Sequence, residues 1–253
     1  MTQTADEQTT EFGFQRVPLE EKAKLVGAIF DSLASRYDLV NDVMSFGMHR
    51  LWRRFAVDLC QISPGQRVLD LAGGTGDLTG RLARRVGENG LVVLAEINDS
   101  MLRVAHTRFS NGHPPRGVEY VLADAEQTPF SDGHFDVVTI AFGMRNVTRK
   151  AEVLGSMFRV LRPGGAGVVL EFSHPIIPGF GPLYDFYSFY VMPLLGRLIA
   201  GKGGGFRYLA ESIRVHPDQE TFRAMMEEAG FERCEYHNLS GGIVAVHRGF
   251  KPQ

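Results

Sequence analysis

Acidic and glycine residues occur together at the end of the short apolar run formed by residues 67–71. Asp70 lies in this run, and a turn that contains Gly74, Thr75 and Gly76 follows it. Glycines at a strand-to-helix turn let a ligand approach the bare backbone, and the start of the next helix supplies unpaired N–H groups. The pattern is typical of a loop that binds a nucleotide cofactor, and it makes Asp70, Gly74, Thr75 and Gly76 candidate cofactor contacts. A turn that binds no ligand is the alternative.

Further acidic residues follow the next two predicted strands. Residues 91–95 predict a strand that ends at Glu96, and residues 118–123 predict one that ends at Asp124 and Ala125. A carboxylate at the tip of the second strand can accept hydrogen bonds from both hydroxyls of a ribose. A carboxylate beside a backbone N–H suits the edge of an adenine. For Glu96, the alternative is a solvated carboxylate at a strand end.

The spacing of the glycines separates two classes of cofactor. A dinucleotide fingerprint reads G-x-G-x-x-G, and the position of its third glycine is occupied by Thr79. This weakens the interpretation as a binding site for NAD. The remaining pattern, an acid followed by small residues and glycines, resembles the first motif of class I methyltransferases. In that family the loop wraps the amino-acid part of S-adenosylmethionine (SAM).

Alternating strand and helix patterns predict an α/β fold. Four repeats of a strand followed by a helix predict a doubly wound parallel sheet with helices on both faces. Ligands bind such sheets beyond the carboxyl ends of the strands, where the turns at Thr75, Glu96, Asp124 and Ala141 lie. Two final strands, at 231–239 and 243–250, predict a closing antiparallel hairpin. This arrangement fits the mostly parallel, seven-stranded, Rossmann-like sheet of class I SAM-dependent methyltransferases.

The chain is predicted to form one domain over residues 16–253, after a mobile tail at 1–15. Within that domain, residues 16–62 predict a helical N-terminal cover. Residues 173–215 predict an aromatic helical insertion after the fifth strand, where a lid above the carboxyl edge belongs. The N-terminal cover could lie over a pocket for a ligand with both apolar and polar parts, and packing on the domain edge is its alternative. The insertion could line a pocket for an apolar substrate, and a local core is its alternative.

Composition excludes several other classes of protein. The 253 residues contain 44% hydrophobic and 22% charged residues, as in an ordinary globular protein, and the net charge of −2 gives no electrostatic reason to expect nucleic acid. Two cysteines, Cys60 and Cys234, are too few for a disulfide framework or a zinc site, and we expect no metal. The polar, acidic start lacks the features of a signal peptide, so we expect a cytoplasmic protein.

Whole phrases of the chain, from about residue 12 to residue 251, resemble one family. The family is the UbiE-type C-methyltransferases shared by the ubiquinone and menaquinone pathways. The matching phrases are Tyr37-Asp38, Asn41-Asp42, His49-Arg50-Leu51-Trp52, the run from Leu71 to Leu78, the run from Phe142 to Thr148, Glu171-Phe172-Ser173, the run from Tyr208 to Ile213, and His216-Pro217-Asp218.

This resemblance implies methylation of a ring carbon of a polyprenylated quinol by SAM. Substrates of this kind are 2-polyprenyl-6-methoxy-1,4-benzoquinol and demethylmenaquinol. The implied SAM contacts are Thr75, Glu96, Asp124 and Ala125, with Ala141 nearby. In this family position 96 is usually Asp, position 124 is often Asn and position 141 is Ser in close relatives. The resemblance leaves open whether the protein forms a homo-oligomer. It also leaves open whether the protein makes a peripheral contact with the inner membrane face or with a quinone-biosynthesis complex.

Catalysis needs no metal or covalent nucleophile, because the sulfonium of SAM is already an activated methyl donor. Arg145 and Asn146, which follow the fourth strand, are candidates to orient and stabilise a phenolate. Tyr37 and His49 are candidates for a proton relay, although packing of His49 on Trp52 is the favoured alternative. The remaining alternatives are a SAM-dependent O- or N-methyltransferase of another apolar molecule and a SAM-binding module without activity.

Overall fold

A seven-stranded sheet forms the centre of the structure, a computed structural model that describes residues 9–110, 117–200 and 204–253. Nine strands occur in the described residues: β1 (Thr9–Phe12), β2 (Gln15–Pro18), β3 (Arg67–Leu71), β4 (Leu91–Glu96), β5 (Val118–Leu122), β6 (Phe135–Ala141), β7 (Leu161–Phe172), β8 (Glu232–Leu239) and β9 (Val244–Phe250). The large sheet has the order β5-β4-β3-β6-β7-β9-β8. Strands β3 to β7 are parallel, and β9 runs antiparallel to both β7 and β8. The predicted topology is confirmed.

Helices cover both faces of the sheet and its carboxyl edge. In chain order they are α1 (Leu19–Leu33), α2 (Tyr37–Ser45), α3 (His49–Leu59), α4 (Asp77–Val86), α5 (Asp99–Ser110), α6 (Lys150–Val160), α7 (Phe180–Phe186), α8 (Met192–Ala200), α9 (Gly204–Val215) and α10 (Gln219–Glu228). A π-helical turn at Tyr187–Val191 joins α7 to α8. No helix in the described ranges is both long enough and apolar enough to cross a membrane.

The central strands are apolar because both of their faces are covered. Successive side chains of a strand point to opposite faces, so the fully buried Val68 and Leu69 of β3 belong to two separate core clusters. The cluster around Leu69 includes side chains from α6 and α10, and the cluster around Val68 includes side chains from α3 and α4. These two cores hold the strand ends at fixed positions along one edge.

The N-terminal segment differs from its prediction. Residues 9–15 were predicted as part of a mobile tail, and in the structure they contain β1 and the turn of an antiparallel hairpin with β2. Residues 1–8 lie outside the described residues. The ring of Phe12 stacks on Tyr208 with a centroid distance of 4.4 Å, and the backbone N–H of Phe14 donates to Glu211 over 3.2 Å. Contacts with α9, far away in the sequence, hold the hairpin in place.

Candidate active site

A cleft of about 290 Å³ opens beyond the carboxyl ends of β3 to β6. Five of the residues that the sequence predicts as cofactor contacts line it: Gly74, Glu96, Asp124, Ala125 and Ala141. Asp70 and Thr75 line a smaller polar cavity beside the cleft, of about 20 Å³, and Gly76 precedes α4. The predicted positions therefore converge at one edge of the sheet, as parallel topology requires.

Glu96 connects two loops at this edge. Its Oε2 accepts the backbone N–H of Gly74 at 2.9 Å, and its Oε1 accepts the backbone N–H of Asn98 at 3.0 Å. The residue is only 7% exposed, and burial raises the pKa of its carboxyl group, although these backbone donors oppose the rise. A carboxylate oxygen has two lone pairs, so both oxygens retain acceptor capacity for a ligand.

Asp70 is buried, and each of its two carboxyl oxygens accepts a hydrogen bond from the protein itself. The hydroxyls of Thr79 and Thr139 donate to its two carboxyl oxygens over 2.6 Å and 2.8 Å, and burial raises its pKa to about 6. Asp70 therefore connects β3 with β6 and α4 beside the glycine turn, and the direct cofactor contact predicted for it stays a prediction. Thr79, the residue that breaks the dinucleotide fingerprint, holds this carboxyl group in place.

The glycine turn needs its small residues. Gly76 has a φ of +82°, and a Cβ at this position would lie 2.6 Å from Cε2 of Phe109. Gly74 has a φ of +57°, and a Cβ there would contact only the Cε of Met101, at 3.5 Å. The backbone at Gly74 is consequently open toward the cleft, whereas the backbone at Gly76 is packed against α5.

The cover helix α2 contacts the glycine turn. The hydroxyl of Thr75 donates to Oδ1 of Asp38 over 3.1 Å, and the guanidinium of Arg108 contacts both Asp38 and the hydroxyl of Thr75. Asp38 belongs to a phrase that carries the family resemblance, but the sequence assigned it no role. Its position ties the N-terminal cover to the predicted cofactor loop.

A larger cavity, of about 510 Å³, lies next to the cleft and is mostly apolar. Its walls come mainly from the N-terminal cover, the insertion and the ends of β6 and β7, and they include the predicted residues Tyr37, Arg145 and Asn146 together with His49, Trp52, Phe172, Tyr184 and Tyr208. The cleft and the cavity share the side chains of Phe30, Tyr37, Phe142 and Asn146. Two compartments of different polarity therefore meet at these four residues.

Arg145 is a buried cation in the wall of the apolar cavity. Its Nη1 donates to Oε1 of Glu171 at 2.9 Å and to the carbonyl oxygen of Phe142 at 2.6 Å. Its guanidinium lies 5.3 Å from the ring centroid of Phe172, and its buried Nε has no hydrogen-bond partner among the described residues. Burial lowers the pKa of Arg145, but Glu171, Tyr37 and Tyr208 together outweigh this effect and raise the pKa overall. The side chain therefore remains charged and cannot serve as a base.

Hydrogen bonds to Tyr208 and to the backbone of Phe142 hold the side chain of Asn146 in place. Its Oδ1 accepts the hydroxyl of Tyr208 at 3.1 Å, and its Nδ2 donates to the carbonyl oxygen of Phe142 at 3.4 Å. Burial raises the pKa of Tyr208 to about 12, so this phenol stays neutral and acts as a donor. Tyr208 and Glu171 were visible in the family phrases, but only the tertiary structure places them against Asn146 and Arg145.

The side chain of His49 does not only pack on Trp52, because both of its ring nitrogens also contact polar side chains. Its Nε2 lies 2.8 Å from Oδ1 of Asp42, and its Nδ1 contacts the guanidinium of Arg53. Burial lowers the pKa of His49, although Asp42 opposes this change. Both ring nitrogens therefore have partners within the protein, and a role of His49 in a proton relay stays a prediction.

Comparison with known proteins identifies the family. A model of the ubiE/COQ5 methyltransferase family matches residues 17–251. The chain belongs to the ubiE/COQ5 methyltransferase family. This confirms the resemblance that the sequence phrases predict.

Two ubiE/COQ5 relatives are similar over nearly their whole length. The ubiquinone/menaquinone biosynthesis C-methyltransferase UbiE of Ectopseudomonas mendocina is 59% identical over 246 residues, which cover 97% of this chain and 96% of that protein. The protein of the same name from Cronobacter sakazakii is 57% identical over 243 residues, covering 96% of this chain and 97% of the relative.

A solved structure supports the fold of this ubiE/COQ5 member. A SAM-dependent methyltransferase from Thermotoga maritima, described as a possible histamine N-methyltransferase, matches with a TM-score of 0.61 and 20% identity. The match covers 89% of this chain and 99% of that one. At this identity the similarity concerns the fold alone, and it confirms the predicted class I methyltransferase fold.

Proposed function

We propose that this protein transfers the methyl group of SAM to a ring carbon of a polyprenylated quinol, such as 2-polyprenyl-6-methoxy-1,4-benzoquinol or demethylmenaquinol. The observation that carries the proposal is the junction of the two compartments. The cleft has carboxylates for a polar cofactor, and the adjoining apolar cavity suits a greasy aromatic ring. The names of the two close relatives agree with this substrate class.

The residues of the cleft fit SAM. Glu96 keeps acceptor capacity for the ribose hydroxyls, and Asp124 and Ala125 lie where an adenine edge needs an acceptor and a backbone donor. Glu96 is longer than the usual Asp of the family, and its hydrogen bonds to Gly74 and Asn98 hold the extra length at the turn. SAM, when bound, supplies an activated methyl group.

Arg145 and Asn146 act on the quinol in this proposal. A hydroxyl of the ring that loses its proton pushes negative charge onto the neighbouring carbon, which then attacks the methyl group. A fixed cation in an apolar, water-poor cavity stabilises such a developing charge more strongly than water does. Glu171 and Phe172 hold the guanidinium in place, and its Nε, which lacks a partner in the part of the chain that the structure describes, is a donor available for the ring oxygen.

Tyr37 lies at the boundary between cofactor and quinol. It lines the cleft, the apolar cavity and the small polar cavity. A side chain in this position can restrict the approach of the ring to one direction, which is how alignment along the methyl–sulfur axis lowers the barrier. We therefore assign Tyr37 to the orientation of substrate, in place of the predicted proton relay.

Replacement of Arg145 by methionine tests this function. We expect kcat for a short-chain quinol to fall at least roughly 100-fold, because one charged donor to a developing oxyanion contributes about 3 kcal/mol. The Kd for SAM, measured by calorimetry, should change by less than about twofold, since Arg145 does not line the cofactor cleft. Arg162→Met is the matched control, because Arg162 is an exposed surface arginine paired with Asp136.

Full activity of Arg145→Met would remove Arg145 from the mechanism. The identity of the reaction is tested separately by mass spectrometry of quinones from cells that lack such an enzyme, with and without this chain. Restoration of a ring-methylated quinone supports C-methylation. Appearance of an extra methoxy group or of a methylated amine would instead support one of the other methyltransferase classes.

The rim of the apolar cavity bears on how a membrane-embedded substrate reaches the site. Phe46 is 78% exposed, and Leu183 and Phe186 are also mainly exposed, although all three line the cavity. A long polyprenyl tail is larger than the cavity and must leave through its mouth. We therefore propose that this rim rests on a lipid bilayer, where exposed apolar side chains gain free energy by burial.

Vesicle flotation tests this peripheral contact. The wild-type protein should float with vesicles that contain the quinol, and a variant with Phe46→Ser, Leu183→Ser and Phe186→Ser should remain in solution. The matched control carries serine at Phe14, which is exposed to a similar extent but does not line the cavity. Equal flotation of the triple variant and the wild type would contradict the proposal.

A further inference from the structure

A groove on the outer side of the insertion has no role in the function proposed above. This outer groove has a volume of about 630 Å³ and is open to solvent, since Tyr190 in its wall is 69% exposed. Its walls come from the turn between β1 and β2, the π-helical turn, α8 and α9. None of the described residues that line it also lines the apolar cavity or the cofactor cleft. The outer groove is therefore a separate site.

Two arginines from neighbouring helices line the outer groove. Arg197 of α8 is exposed and forms no ion pair with a residue of the described ranges. Arg207 of α9 donates from Nε to Oε1 of Glu211 over 2.7 Å, and its terminal amino groups have no hydrogen-bond partner within the described part of the chain. The other carboxyl oxygen of Glu211 accepts the backbone N–H of Phe14. Two cations and one acid, which already has protein partners, give the outer groove a positive charge with free donors.

The outer groove adjoins the rim that is proposed to rest on a bilayer. The ring of Tyr190, in the groove, stacks on Phe186 of the rim with a centroid distance of 5.4 Å. One helical run leads from Phe186 through Tyr190 to Arg197. An apolar, then an amphipathic aromatic, then a cationic side chain is the order that suits the hydrocarbon, the interface and the headgroups of a bilayer.

We infer that the outer groove binds the headgroup of an anionic phospholipid, with Arg197 and Arg207 as the ligands of its phosphate. This inference rests on the proposed contact of the rim with a bilayer. Guanidinium groups bind phosphate oxygens with paired N–H donors. In a zwitterionic headgroup an ammonium group competes for the same phosphate, so the two arginines favour a headgroup of net negative charge. A rim seated on the bilayer keeps such headgroups at high local concentration, which favours them over phosphate in solution.

Binding to vesicles of two compositions isolates the contact. One set consists of phosphatidylcholine, and the other also contains phosphatidylglycerol. An arginine near an anionic surface contributes roughly a fivefold gain in affinity, so the wild type should prefer the anionic vesicles roughly 10- to 30-fold at low ionic strength. Added salt should reduce this preference. Arg197→Gln should lower it roughly fivefold, and Arg197→Gln combined with Arg207→Gln should nearly abolish it. Binding of both variants to phosphatidylcholine vesicles should equal that of the wild type.

Matched variants separate this role from general surface charge and from support of the fold. Arg103→Gln is the control, because Arg103 is similarly exposed and pairs with an acid four residues away on α5, as Arg207 does on α9. It should keep the preference, and so should Phe14→Ser, which leaves both arginines in place. Lysine at both arginine positions keeps the charge and should retain most of the preference. Methylation of a short-chain quinol in detergent should be unchanged in the arginine variants, since neither arginine lines the cavity or the cleft.

Several results would overturn the inference. Equal loss of preference in Arg103→Gln and in the groove variants would assign it to general surface charge. Weaker binding of the groove variants to both kinds of vesicle would mean that the arginines only support the insertion. Failure of the wild type to bind either kind would remove the proposed membrane contact, and this inference with it. Binding through the rim without a preference, or with one that the groove variants keep, overturns the inference alone.

Discussion

Replacement of Glu96 by glutamine should lower both the stability of the fold and the affinity for SAM. The carboxylate accepts the N–H of Gly74 at 2.9 Å and the N–H of Asn98 at 3.0 Å, one on each oxygen. A glutamine has one carbonyl oxygen and one NH2 group, so one of the two backbone donors would face another donor. A buried donor left unsatisfied costs about 1–3 kcal/mol, and Tm should fall by roughly 2–12 °C for a chain of this length.

The same substitution removes the charge that receives the ribose hydroxyls in the proposed function. Hydrogen bonds to a charged group contribute about 1.5–3 kcal/mol, so the Kd for SAM should rise roughly 10- to 150-fold. The pH dependence should also change. Because burial raises the pKa of Glu96, the wild type should lose affinity as the pH falls through a range above that of an ordinary glutamate, and Glu96→Gln should not.

Calorimetric titration with SAM and thermal denaturation followed by circular dichroism measure the two effects. Glu119→Gln is the control, because Glu119 is exposed on β5 and does not line the cleft. Glu96→Asp keeps the charge but is one methylene shorter, so it should fall between the wild type and the glutamine variant. An unchanged Kd together with an unchanged Tm in Glu96→Gln would refute the assignment of Glu96 to both roles.

Three further predictions concern stability. Gly76→Ala should destabilise the fold by about 2–4 kcal/mol in urea denaturation, since its φ of +82° is strained for alanine and the new Cβ would lie 2.6 Å from Phe109. A urea midpoint equal to that of the wild type would contradict this. Glu171→Gln should cost about 3 kcal/mol, because Arg145 would remain as an uncompensated buried charge; equal urea midpoints of variant and wild type would argue against the pair. Burial lowers the pKa of His247 to about 4. Between about pH 6.5 and 4 the unfolded chain therefore takes up a proton that the folded chain does not, which destabilises the fold. His247→Gln should remove up to about 3 kcal/mol of this acid destabilisation. Parallel stability–pH curves for His247→Gln and wild type would contradict this assignment.

The parallel arrangement of the central strands was accessible from sequence, because the apolar pattern of the strands and their alternation with helices agree. Neighbouring apolar residues such as Val68 and Leu69 indicate a strand buried on both faces, which favours parallel pairing with helical crossovers. Parallel strands end at one edge of the sheet. Glu96, Asp124 and Gly74 therefore had to converge, although they are well separated in the chain.

The N-terminal hairpin was not accessible in the same way. Residues 9–18 are mostly polar, and they carry little local signal for a strand. Their order comes from Phe12 stacked on Tyr208 and from the N–H of Phe14 bound to Glu211, contacts that span nearly 200 residues of chain. A local pattern cannot report a contact of this kind.

Sequence alone determined the family, the sheet and the edge at which a cofactor would bind, because each of these follows from short phrases and from strand periodicity. Tertiary structure decided which charges share that edge. Thr79 stands where the dinucleotide fingerprint has a glycine, and only the structure shows its hydroxyl bound to Asp70. Only the structure likewise shows Arg53 buried beside Asp77. The physical reason is that a buried charge is tolerated only where partners from distant segments surround it, and packing alone brings those segments together.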